Sequence, residues 1–145
     1  MKKRVLFVCI HNSARSQMAE AFVNTLAGEY FEAESAGIEP GQLNSLVVEV
    51  MRESGIDISK NSTDSVAEFI RQGRCYDYVI TVCDEGNSQR CPVFSGVDGK
   101  AVRLHWGFED PSSLSGDITD KRTQTRRIRD QIKAKIHQWI KEQEL

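Results

Sequence analysis

The chain has 145 residues, 39% hydrophobic and 28% charged, with a formal net charge of -2. That is the size and composition of one ordinary globular domain, long enough to build a core without disulfide staples. The charge leaves no basic footprint for nucleic acid, and no apolar run approaches the ~20 residues that cross a bilayer.

The chain starts Met1-Lys2-Lys3-Arg4, then Val5-Leu6-Phe7-Val8. This apolar stretch is too short for a signal peptide, so a cytoplasmic protein without a targeting segment is expected. Residues 4–9 read as a strand buried on both faces of a parallel sheet. From about Ser13 the pattern turns helical, with Met18, Ala19, Phe22, Val23 and Leu26 on one face and Gly28 as the stop. A short strand is expected over 31–36. Helices are expected over 43–54, with Leu43, Leu46, Val47, Val50 and Met51 in register, and over 64–73, ending at Gly73. The β-branched run from Tyr78 to Val82 predicts a strand. Residues 83–99 are rich in Gly, Asn, Ser and Pro and read as loop; a last strand follows over 100–104. Residues 105–117 are irregular. The final helix is expected over 119–141, where Ile128, Ile132, Ile136 and Ile140 step by four. Its basic residues, such as Arg126 and Lys133, are read as a solvated face. Strands alternating with helices predict a single three-layer α/β domain over 1–145, a four-stranded parallel sheet flanked by helices, with its site at the strand C-termini.

The chemistry concentrates between the first strand and the first helix, in Cys9-Ile10-His11-Asn12-Ser13-Ala14-Arg15-Ser16. Free backbone N–H groups at a helix start, aided by the helix dipole, bind anions. The backbone from Ile10 to Arg15 is therefore the candidate oxyanion cradle. The same field stabilises a thiolate, which makes Cys9 the candidate nucleophile. Arg15 adds a planar fork of donors matched to two oxygens of a tetrahedral anion. Ser16 is placed to hydrogen-bond the Cys9 sulfur. A buried strand-end cysteine beside a surface arginine would be the bland reading of either residue alone. Motif and predicted context agree against it.

The stretch Val5–Glu20, with Cys9, Asn12, Arg15, Ser16, Met18, Ala19 and Glu20, resembles the low-molecular-weight protein tyrosine phosphatase superfamily. Within it the chain looks most like the arsenate reductases built on that fold. The likeness continues through Glu34-Ser35-Ala36-Gly37, Gly55–Ser59, Val79–Cys83 and His105–Pro111. It implies that Cys9 attacks arsenate and that Cys83 and Cys91 form a relay. Cys83 would attack Cys9 with release of arsenite, and Cys91 would then take over Cys83, leaving a disulfide for thioredoxin or glutaredoxin to reduce. It assigns Asp110, before Pro111, as general acid. It also implies a potassium ion beside the loop at Asn12, Glu20, Ser35 and Asp64. Phosphate or sulfate would compete with arsenate, and a monomer is expected.

The alternative is a low-molecular-weight tyrosine phosphatase using Cys9, Arg15 and Asp110. Those enzymes carry tyrosines after Asp-Pro; here Ser112-Ser113 follow, which favours a small free anion. A regulatory anion-binding module is a third reading. Zinc at Cys83 and Cys91 is a weak one, since a second pair of ligands is missing. His11 and Ala14 depart from the reductase loop, and the Cys83–Cys91 spacing is a residue longer than in the best-known relatives. Cys75 matches no role and is read as structural.

Overall fold

The computed structural model describes residues 2–83, 95–96 and 99–143. Strand β1 (Lys3–Cys9) leads into helix α1 (Arg15–Ala27), then β2 (Phe31–Gly37), α2 (Ser45–Glu53), α3 (Val66–Arg71) and β3 (Tyr78–Thr81). Two short strands, β4 (Ser95–Gly96) and β5 (Gly99–Lys100), pair antiparallel with each other. Strand β6 (Val102–His105), a 3-10 turn (Pro111–Ser113) and helix α4 (Ile118–Glu142) complete the order.

The main sheet runs β2-β1-β3-β6, and each pairing is parallel. The chain leaves β1 towards β2 and later returns to β3 on the other side of β1. The C-terminal end of β1 is therefore a topological switch point, where open parallel sheets place their sites.

Alternation along β1 divides the core. Val5, Phe7 and Cys9 join Met18 and Phe22 of α1, Val47 and Met51 of α2, and Ile128, Ile132 and Ile136 of α4. Leu6 and Val8 face the other way, onto Val66 and Phe69 of α3 and Tyr76. Burial on both sides explains the unbroken apolar run in the sequence.

Three expectations are corrected. The last sheet strand begins at Val102, because Gly99 and Lys100 belong to the small antiparallel pair. Helix α2 begins at Ser45, since the Asn44 side chain caps it. In α4, Trp139 rather than Ile140 ends the buried stripe. Steps of four overshoot a 3.6-residue turn, so after three of them the core-facing position moves back by one. Among the described residues, no helix is long and apolar enough to cross a membrane.

Candidate active site

Residues 9–14 leave β1 and turn into α1, and their carbonyls are held from outside. Cys9 O accepts from Ile38 N at 3.1 Å, Ile10 O from Glu39 N at 2.7 Å, and His11 O from Gly41 N at 2.9 Å. Ser13 O accepts from Asn44 N at 2.9 Å. Asn12 O accepts from Gln17 Nε2 at 3.0 Å. The C=O and N–H of a trans peptide point in opposite directions. Anchoring these five carbonyls outward turns the N–H groups of residues 10 to 14 to the inside of the loop. The Asn12 N–H is seen there, donating to Cys9 Sγ at 3.1 Å.

Two backbone features make this close packing possible. Asn12 has φ 54, a left-handed conformation that asparagine tolerates better than most residues. Gly37 lies so close beneath the loop that a Cβ there would meet Asn12 N at 2.8 Å and Ile10 O at 2.9 Å. A side chain at position 37 would push the loop off the sheet.

The Asn12 side chain orients the nucleophile's partner. Its Oδ1 accepts from the backbone N–H of Asp64 at 2.9 Å. A backbone N–H can only donate, so the opposite end of the amide, Nδ2, must face Ser16, to whose Oγ it donates at 2.8 Å. With that lone pair taken, the Ser16 hydroxyl hydrogen is free to point at Cys9 Sγ, 2.9 Å away. The Cys9 sulfur thus receives a hydroxyl and a backbone N–H. Ser16 is fully buried and Cys9 nearly so.

Arg15 is buried against the same loop. Its Nη1 donates to Phe108 O at 3.0 Å, and its Nη2 lies 3.8 Å from Asp110 Oδ2. Asp110 begins the 3-10 turn and accepts from Ser112 N at 2.9 Å and from Ser113 Oγ at 3.1 Å. Arginine and acid, distant in sequence, therefore share one side of the loop. The side chains of the two unusual loop residues stay outside the cradle. His11 turns its ring to Glu39 O at 2.7 Å, and the Ala14 methyl packs into the core.

Cys83 follows β3, and Val8 pairs with Thr81 in the parallel ladder. Cys9 and Cys83 therefore leave adjacent strands at the same edge of the sheet. Both cysteines are buried. Cys91, with the relay and zinc readings that depend on it, lies outside the described residues. Cys75 is half-buried, and its thiol faces the Gly73 carbonyl.

Behind the loop is a cavity of about 300 Å3 lined by Gln17, Glu20, Lys60, Asn61, Ser62 and Asp64. Burial pushes the Glu20 carboxyl up to about 7; a bond from the Ser35 hydroxyl at 3.0 Å opposes this, and the charges of Asp64 and Glu34 add to it. Of the four residues expected around potassium, Glu20 and Asp64 line this cavity, while Ser35 reaches it only through its bond to Glu20 and Asn12 only through its bond from the Asp64 backbone.

Gln17 was not legible as a site residue. Its amide joins the Asn12 carbonyl, the Asn12 side chain and the Ser62 carbonyl, and its Oε1 accepts from Asn61. In sequence it is one more polar position on a helix. The carbonyl of Phe108 and the bracing segment 38–44 carried no signal either, because their contribution is backbone.

The family described as low molecular weight phosphotyrosine protein phosphatase matches residues 4–145. An arsenate reductase of Bacillus licheniformis is 38% identical over 135 residues, 93% of each chain. A solved structure described as an arsenate reductase in the phosphate binding state superimposes with a TM-score of 0.74 at 31% identity, covering 98% of both chains. A thioredoxin-dependent arsenate reductase of Corynebacterium glutamicum gives a TM-score of 0.69 at 29% identity, covering 97% of this chain and 60% of that one.

Proposed function

The chain belongs to the low molecular weight phosphotyrosine protein phosphatase family, and from that premise we propose that it reduces arsenate to arsenite with Cys9 as nucleophile and a dithiol protein as electron donor. The observation that carries the choice of reaction is Cys83, a second buried cysteine at the same sheet edge as Cys9, following the neighbouring strand. Phosphate-ester hydrolysis has no use for it. The names of the relatives point the same way.

In the proposed reaction the inward N–H groups and Arg15 hold the oxygens of arsenate. The Cys9 thiolate forms a sulfur–arsenic bond while an arsenic–oxygen bond breaks, and Asp110 gives its proton to the departing oxygen, which leaves as water. A Cys83 thiolate then attacks Cys9 Sγ. The electron pair of the sulfur–arsenic bond stays with arsenic, which leaves as arsenite, and the two sulfurs are oxidised to a disulfide. Cys91 next displaces Cys9 from Cys83, and a thioredoxin- or glutaredoxin-like dithiol reduces the Cys83–Cys91 bond. Bridging needs Cα atoms within about 7 Å and an accessible sulfur, so the buried Cys83 must move during the cycle. A thiol relay of this kind belongs in a reducing compartment, which supports a cytoplasmic setting.

Potassium fits the cavity behind the loop. Glu20 and Asp64, which line it, and Ser35, bonded to Glu20, would offer oxygens, and the buried Glu20 carboxyl would gain a counter-charge. Asn12 would contribute its main-chain oxygen, because its side-chain oxygen already accepts from Asp64 and Gln17. The ion would supply a fixed positive charge beneath the Asn12 turn.

The test is an NADPH-coupled assay with arsenate, run in parallel with thioredoxin and glutaredoxin systems. Arsenate-dependent NADPH oxidation is expected, lost in Cys9→Ser and limited to one turnover or less in Cys83→Ser and Cys91→Ser. Normal cycling by both single relay variants would overturn the relay. Vigorous aryl phosphate hydrolysis with no arsenate-dependent oxidation would instead establish the phosphatase reading.

A further inference from the structure

Asn44 stands where three parts of the site meet. Its backbone N–H donates to Ser13 O of the oxyanion loop at 2.9 Å. Its Oδ1 accepts from Leu46 N at 2.9 Å and Val47 N at 3.1 Å, capping α2. Those donors fix the amide's orientation, so Nδ2 points outward and donates to Ser112 Oγ at 2.9 Å. Ser112 in turn gives its backbone N–H to Asp110 Oδ1. Capping needs only an acceptor, which serine or aspartate supplies as well. What asparagine adds is the second, donating end, and here that end holds the segment carrying Asp110.

We propose that Asn44 is a positioning residue: through Ser112 it fastens the Asp110 carboxyl to the same helix terminus that braces the oxyanion loop. Nucleophile loop and acid are then set on one frame. The inference rests on reading Asp110 as the proton donor to the oxygen leaving arsenic. Loss of the tether leaves the N–H cradle and Arg15 in place, so arsenate still binds. What suffers is the alignment of the acid, on which proton transfer depends steeply.

The tether is tested with Asn44→Ser, which keeps a capping oxygen but lacks Nδ2, and with Ser112→Ala, which keeps the backbone N–H on Asp110. The double variant is made as well, and all three are repeated in an Asp110→Asn background. Single-turnover arsenite release should slow about three- to tenfold in each single variant. The arsenate concentration for half-maximal rate should stay within about twofold, since binding is untouched. The double variant should lose no more than the worse single, because both remove one bond. None should slow release further once Asp110 is Asn. The 15N order parameter at Ser112 reads the tether without turnover and should fall in Asn44→Ser while those of α2 hold. Additive losses, losses that persist beside Asp110→Asn, or unchanged rates would overturn the proposal. If Asp110→Asn is itself without effect, the general-acid reading has failed. An unchanged order parameter at Ser112 would sink the tether on its own.

Discussion

Two helices begin side by side at the site, and their N-termini are built in opposite ways. Helix α2 opens with Asn44, whose side-chain oxygen takes the first free N–H groups. Helix α1 opens after Ala14, with no capping side chain. A capping residue is worth about 1 kcal/mol, so α1 forgoes stability that α2 keeps. The difference follows from use. On the proposed function, the N–H groups at the start of α1 continue those of the oxyanion loop and are left for an anion, whereas the start of α2 is closed and braces that loop.

Substitutions can break this contrast from either side. The largest effect is expected from Cys9→Ser, which keeps the cradle and removes the nucleophile. Arsenate reduction should fall at least about a thousandfold in the thioredoxin-coupled assay, with phosphate still protecting the protein against thermal unfolding. Arg15→Lys keeps the charge and loses the planar fork. It should lower kcat/KM for arsenate by about 10²–10³, the cost of one misplaced oxyanion donor.

Glu20→Gln probes what lies behind the α1 loop. The Glu20 carboxyl is held at about 7 in the folded chain, against an ordinary value of 4.5. The folded state therefore binds the extra proton between those limits. That contribution to stability is complete below about 4.5 and is lost as pH rises through about 7. In potassium-free buffer at pH 8, Glu20→Gln should be more stable than the wild type by up to about 3 kcal/mol in urea melts, and the gap should close by pH 4.5. Potassium chloride should narrow the pH 8 gap and tetramethylammonium chloride should not. The smallest effect is expected at α2. Asn44→Ala should cost about 1 kcal/mol in the same melts, the ordinary value of a cap.

Much of this was legible along the chain because it is written in short-range pattern. The unbroken apolar run of β1, the helical spacing of Met18, Ala19, Phe22 and Val23, and the Cys9–Ser16 motif each depend on neighbours within a few residues; Leu26, expected on the same face, is exposed. Strand β6 was misplaced by two residues because Gly99 and Lys100 pair with Ser95 and Gly96, a choice made by partner strands rather than by propensity. The end of the α4 stripe was misjudged because steps of four and a 3.6-residue turn part company only over several turns.

The sequence by itself determined an α/β chain whose first strand delivers a cysteine to an anion-binding helix start, because alternation, periodicity and loop chemistry are local. Only the tertiary structure decided which way each peptide of that loop faces. Most of those orientations are imposed by Ile38, Glu39, Gly41 and Asn44, whose bonds to the loop carbonyls come from another segment. The approach of Arg15 to Asp110, and the placing of Cys9 and Cys83 at one sheet edge, likewise wait on strand order, because groups so far apart in the chain are brought to one edge only when parallel strands align their C-terminal ends.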